Sequence, residues 1–193
     1  MVVEGETMSR FSLDAMPSEP WKNGGGTTRV LCGKNNPDAD VGFDWRMSVA
    51  DIADSGPFST FAGVDRIAVV LENGPLKLSG LAARLLPVAA LYHPVAFSGE
   101  LDVFATVPGD RVLCLNVMTR RGAFVAEVDV VFIETVLDSG PERIVFATGA
   151  GWQVDSMTLG HYAGLRMHSD TGCVLRPPPR LNGPLIVVSL YPA

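Results

Sequence analysis

An all-β fold with little helix is the expectation from this sequence, and three observations carry it. Short runs alternate side-chain character with period two, other runs are continuous and rich in β-branched residues, and turn-forming clusters of Gly, Pro, Asn and Asp fall between them. The chain has 193 residues, 47% of them hydrophobic, enough for one substantial core and too few for several ordinary domains. Its 20 glycines and 14 prolines follow no repeat, which in so apolar a chain signals tight turns rather than disorder.

Each element follows from these rules. Trp45-Arg46-Met47-Ser48-Val49 and Glu127-Val128-Asp129-Val130 alternate, so each is expected to be a half-buried strand with one class of side chain per face. The runs 67–71, 111–117, 144–146 and 185–188 are almost wholly apolar and read as strands covered on both faces. Turns are expected at Asp54-Ser55-Gly56-Pro57, Glu72-Asn73-Gly74-Pro75, Pro108-Gly109-Asp110, Asp138-Ser139-Gly140-Pro141 and Asn182-Gly183-Pro184. That spacing suits a sandwich or barrel. The best local case for a short helix is 49–53, and it meets Gly56-Pro57 almost at once. Pro177-Pro178-Pro179 lacks three backbone donors and is expected as a surface connection before a last strand.

Composition excludes several function classes. With 15 basic against 21 acidic side chains and a net charge of -6, the chain offers no field that attracts nucleic acid or an anionic membrane. Glu4, Glu6, Arg10 and Asp14 stand where an export signal would need an apolar core. The most apolar stretch, 81–97, is interrupted by Arg84, Pro87, His93 and Pro94 and falls short of the ~20 residues that span a bilayer. A soluble, cytoplasmic protein is expected. Cys32, Cys114 and Cys173 are odd in number, widely separated and in no CxxC pair, so buried free thiols are expected rather than disulfides or a zinc knuckle.

Four places have the chemistry to hold a ligand. Pro20-Trp21-Lys22-Asn23-Gly24-Gly25-Gly26-Thr27-Thr28 combines a backbone stripped of Cβ atoms with a cation and an amide; it reads either as a hairpin turn or as a binding loop. Neither GxxxxGK[ST] nor GxGxxG is present. Arg46 and Ser48 share a strand face, where the guanidinium would fork onto a carboxylate ligand, pair with Asp44, Asp51 or Asp65, or simply be solvated. Arg66, beside Asp65, poses the same choice. Asn116, inside an apolar run, must satisfy several hydrogen bonds, by tying loops together or by meeting a ligand. His93, His161 and His168 form no HxH pair, so no metal is expected, and no nucleophile motif accompanies them. Asp65, Glu72, Glu100 and Asp102 are carboxylates that a barrel would have to bring together for acid–base work.

Read as words, PWKNGGGTT, FDWRMSVADI, GPFSTFAGVDR and LNVMTRRG, in that order, closely resemble the signature segments of the HutD/Ves family over the first two-thirds of the chain. The resemblance implies a bicupin, two small packed β-barrels of double-stranded β-helix type, forming one compact unit over 1–193 with halves of roughly 1–120 and 121–193. It implies a metal-independent protein without a cofactor that binds a small carboxylate metabolite, such as formylglutamate, and regulates histidine degradation. It also raises Trp21, Lys22, Asn23, Arg46, Ser48, Arg66 and Asn116 as ligand-facing residues. One position departs from the family pattern: Cys114 stands where an acidic residue is expected before Leu115-Asn116. Two further readings are a metal-free enzyme acting on a histidine-pathway intermediate and a scaffold that forms a homodimer through apolar sheet edges.

Overall fold

The computed structural model describes residues 8–81 and 88–193; Glu4, Glu6, Arg84 and Pro87 lie outside the described residues. Nearly all regular structure is strand, and the one helical element among the described residues is the 3-10 turn Leu13–Ala15. No helix of the described residues is long and apolar enough to cross a membrane. The chain divides into two compact units, Met16–Val125 with Pro192–Ala193, and Met1–Ala15 with Ala126–Tyr191.

In the unit built on Met16–Val125, a six-stranded antiparallel sheet runs in the order Glu19–Pro20, Gly26–Asn35, Phe43–Ile52, Val112–Arg120, Val64–Glu72, Val95–Ser98. A four-stranded sheet runs Gly56–Pro57, Phe104–Thr106, Leu76–Ser79, Val88–Ala89. The two share one core, in which Ala50, Ile52, Val70, Val112 and Cys114 of the larger sheet meet Leu76, Leu78, Ala89 and Ala105 of the smaller. Burying each large aliphatic side chain contributes about 1.5–3 kcal/mol.

The other unit repeats this construction. A five-stranded sheet runs Met8–Ser12, Ala163–Met167, Glu142–Ala147, Leu185–Pro192, Phe124–Val131, and a four-stranded sheet runs Thr135–Leu137, Cys173–Arg176, Gln153–Val154, Met157–Thr158. Register places Val145 opposite both Leu165 and Val187, and all three join Trp152, Val154, Met167 and Leu175 in the shared core. On the other face, Phe146 stacks between Phe11 and Tyr162. In neither unit does the strand order close on itself among the described residues.

Most local expectations hold: the runs 112–117, 144–146 and 185–188 are buried throughout, residues 127–130 alternate exposed with half-buried, and 177–179 form a connection before the last strand. Cys114 and Cys173 are buried and Cys32 half-buried, all three as free thiols. Three expectations need correction. Residues 49–52 belong to the Phe43–Ile52 strand and not to a helix, because pairing with strands on both sides outweighs a weak local helical preference. Gly56–Pro57 is a short strand against Phe104–Thr106 rather than turn, an edge position where proline lacks no needed donor. Finally, 45–49 is not half-buried: its strand lies inside the sheet and both faces are covered, leaving Arg46 as its one half-exposed residue there.

Candidate functional site

The inner face of the six-stranded sheet is a graded surface, read in rows across the Phe43–Ile52, Val112–Arg120 and Val64–Glu72 strands. Alternation sends even-numbered residues of all three strands to the same side, and register aligns them. Ala50, Cys114 and Val70 form an apolar row; next come Ser48, Asn116 and Ala68; then Arg46, Met118 and Arg66; then Asp44 and Arg120. A cavity of about 690 Å3 opens over the middle rows. Its lining includes every residue that the motif resemblance raised as ligand-facing: Trp21, Lys22, Asn23, Arg46, Ser48, Arg66 and Asn116.

The same register decides the ion-pair question. Asp44 lies in the row beyond Arg46, where Arg120 takes it at 2.7 Å, Lys34 at 3.4 Å and the Asn36 amide at 2.8 Å. Those partners hold its carboxyl down at about 2, the Asn36 hydrogen bond foremost and Arg120 next. Asp51 and Asp65 have odd numbers and face the other way; they pair with Arg111 at 3.2 Å and Arg121 at 2.8 Å. All three carboxylates near in sequence are thus engaged elsewhere, and no carboxylate forms a salt bridge with Arg46 or Arg66 among the described residues. Glu19, exposed on its short strand, acts on Arg46 only through its charge.

Aromatic rings take the carboxylates' place. Arg66, 7% exposed, lies 5.1 Å from the Phe58 and Phe97 ring centroids and 5.7 Å from Phe61. Arg46 lies 4.9 Å from Phe43 and 5.7 Å from the same Phe61. Such contacts return about 0.5–2 kcal/mol each, against a desolvation cost of several kcal/mol for a buried ion. Arg66 donates to the Ser59 carbonyl at 3.1 Å and to Asn116 Oδ1 at 2.9 Å, and Arg46 donates to the Met118 sulfur at 3.4 Å. The Nε atom of each arginine is buried and has no partner among the described residues. Burial pushes both guanidiniums down, Arg66 to about 10 with repulsion from Arg46 adding to it, so both remain charged at neutral pH.

The glycine segment is at once the hairpin turn and part of the lining. Gly24 has φ +74, which an L side chain rarely adopts. At Gly26 a Cβ would come within 2.5 Å of the Asp51 carbonyl and 3.3 Å of the Trp21 ring, so only glycine lets this strand close on its neighbour with Trp21 beside it. Trp21 Nε1 then donates to Thr28 Oγ1 at 2.7 Å, and Asn23 Oδ1 accepts from the Gly25 amide at 3.1 Å. Lys22 and Asn23 are left exposed at the mouth.

Sequence reasoning missed Phe58, Ser59, Thr60, Phe61, Thr28 and Met118, which also line the cavity. Phe58 to Phe61 sit inside the GPFSTFAGVDR string, so attention to that motif's aromatics could have found them. Of the other residues considered, His93, His161 and His168 are exposed and line none of it. Asp65 and Glu100 do converge, but on Arg121 at the surface. Cys114 sits at the apolar end, where burial pushes its thiol up to about 12 and keeps it neutral.

A family model described as HutD matches residues 13–183. Protein Ves of Citrobacter koseri is 35% identical over 162 residues, 83% of this chain and 83% of that one. The structure of HutD from Pseudomonas fluorescens is similar with a TM-score of 0.84 at 23% identity, over 96% of this chain and 99% of that chain. A bacterial pirin from Escherichia coli in complex with nickel(II), a cupin-type fold, is similar with a TM-score of 0.64 at 10% identity, over 96% of this chain and 100% of that one. The described lining of the cavity here supplies no imidazole, thiolate or carboxylate and carries two guanidiniums, a donor set that does not fit a divalent cation. With the family match running through most of its length, the chain belongs to the HutD family.

Proposed function

We propose that this chain is a cytoplasmic bicupin that binds a small carboxylate metabolite without a metal, and that occupancy of its cavity regulates histidine degradation. The observation that carries the reading is the pair of arginines, Arg66 buried and Arg46 half-buried, each with a buried, unpartnered Nε and no carboxylate partner among the described residues. A buried ion without a counter-charge is costly, and a carboxylate in the cavity would supply both the charge and the acceptors. The volume, about 690 Å3, falls in the range of small-molecule sites. Family membership supports histidine utilisation as the setting, and formylglutamate is the type of ligand that the motif resemblance implies.

The test is a thermal-shift titration with histidine, urocanate, formiminoglutamate, formylglutamate and glutamate. At a hundredfold excess over Kd, a ligand specific to the native state adds about 2.7 kcal/mol and raises Tm. A selective shift that disappears in Arg46→Ala is the expected result. If none of these compounds moves Tm, the carboxylate reading is wrong.

A further inference from the structure

The strand order Phe43–Ile52, Val112–Arg120, Val64–Glu72, Val95–Ser98 recurs in the other unit as Phe124–Val131, Leu185–Pro192, Glu142–Ala147, Ala163–Met167. Row for row from the apolar end, Arg143 matches Arg66. Cys114 and Val70 are followed by Asn116 and Ala68, then by Met118 and Arg66; Leu185 and Ala147 are followed by Val187 and Val145, then by Ser189 and Arg143. Even the hydrogen bonds correspond. Each guanidinium donates through Nη1 to a carbonyl of the loop that leads into its own strand, Ser59 at 3.1 Å for Arg66 and Asp138 at 2.6 Å for Arg143. Arg143 is half-buried and forms no salt bridge among the described residues; Glu142 and Glu134, near it in sequence, pair with Arg166 and Arg176.

The two rows differ in charge. Where the Phe43–Ile52 strand brings a second arginine, Arg46, the corresponding Phe124–Val131 strand presents Glu127 and Asp129, both exposed and on one face by alternation. Tyr191, two residues beyond Ser189 and so on the same face as it, donates from its hydroxyl to Glu127 Oε2 at 3.0 Å, which puts that carboxylate on the Arg143 side of the sheet. Both charges reach the phenol, pushed up foremost by Glu127 and drawn back by Arg143. Neither Glu127 nor Asp129 pairs with a cation among the described residues.

From this polarity we propose that the Ala126–Tyr191 unit carries a second small-molecule site, which takes the zwitterion of a free α-amino acid: Arg143 receives the carboxylate, Glu127 and Asp129 receive the ammonium, and the Ser189 and Tyr191 hydroxyls lie between them. A simple carboxylate would gain the guanidinium fork but lie beside two like charges. A simple amine would gain the two acids but lie beside Arg143. Only a molecule with both charges on one carbon satisfies both sides, and the opposed charges discriminate against each half alone. The site is independent of what fills the cavity in Met16–Val125.

Heteronuclear NMR of the intact chain at pH 7, titrated with L-alanine, acetate or ethylamine at fixed ionic strength, tests the assignment. L-Alanine is expected to shift the Arg143 Nε–H and the Asp129 and Ser189 amides saturably, with Kd on the order of 10 mM, while acetate and ethylamine bind at least about threefold weaker. Arg143→Gln should weaken L-alanine by at least about tenfold. The double variant Glu127→Gln/Asp129→Asn, altered only at exposed side chains and so expected to fold even if Arg143→Gln does not, should weaken it by at least about threefold. If acetate binds as tightly as L-alanine, the acidic side takes no part and the zwitterion assignment is wrong. If L-alanine moves no resonance of Ala126–Tyr191, or moves them equally in a folded Arg143→Gln chain, the site does not exist.

Discussion

The two units use one construction, a larger sheet and a four-stranded sheet around a shared core, and fill it differently. In Ala126–Tyr191 the inner rows carry Val145, Leu165 and Val187, with the fully buried Trp152 among them and its indole N–H bonded to the Gly183 carbonyl at 2.9 Å. In Met16–Val125 the apolar rows give way to Ser48 and Asn116 and then to Arg46 and Arg66 over a cavity. The difference teaches that the scaffold tolerates polar rows on an inner face when register places them at one end and leaves the apolar end, Ala50, Cys114 and Val70, to hold the sheets together. One unit fills most of its inner face with packed apolar side chains and the other divides it between packing and a polar cavity.

The largest effect that would break this contrast is in the packed unit. Trp152→Ala removes a side chain with no exposed surface and is expected to destabilise by about 3–5 kcal/mol in chemical denaturation. A loss under 1 kcal/mol would mean that the core of this unit is looser than its contacts indicate.

In the other unit the opposite sign is expected. Arg46→Met keeps an unbranched side chain of similar reach, removes a partly desolvated charge, and relieves its repulsion with Arg66, so stability should rise by about 1 kcal/mol while carboxylate binding is lost. Urea midpoints alongside a ligand titration check both halves. A variant that is clearly less stable would show that the arginine is part of the packing rather than a cost borne for recognition.

The smallest effect is acid sensitivity, which sharpens the comparison. Asp44 is lowered from an ordinary 3.8 to about 2 by Asn36 and Arg120, and Glu100 from 4.5 to about 2 by Arg121 and Ser98. Both belong to Met16–Val125. A carboxyl whose value is depressed by folding contributes its stabilisation fully above the ordinary value and loses it as pH falls towards the folded one. Hydrogen exchange between pH 5 and 2.5 should therefore show protection in Met16–Val125 falling below about pH 4, by more than in Ala126–Tyr191. Equal loss in both would remove these two carboxyls as the cause.

Much of the fold was legible because its signals are local. Period two, β-branched runs and Gly/Pro punctuation report on a few adjacent residues, and they located the strands through 112–117, 144–146 and 185–188. The failures share one physical cause. Residues 49–52 are strand, and Gly56–Pro57 is strand, because partners distant in sequence pair with them. The same limit left Arg46 undecided between a ligand and Asp44, since nothing near Asp44 in sequence announces Arg120. Phe58 and Phe61 were passed over for a related reason: an aromatic ring in a loop carries no sign of the cation it will face until the chain has folded.

By itself the sequence determined the all-β class, most of the turns, the common face of Arg46 and Ser48, and the motifs that mark the HutD family, because all of these depend on residue order alone. Only the tertiary structure decided that Arg46, Met118 and Arg66 form one row, that Asp44 is spent on Arg120, that Asn116 turns its oxygen to Arg66, and that Phe61 lies near both arginines. Those outcomes depend on register and packing across tens of residues. A strand's alternation says which face a side chain takes, and only its pairing says whom it meets there.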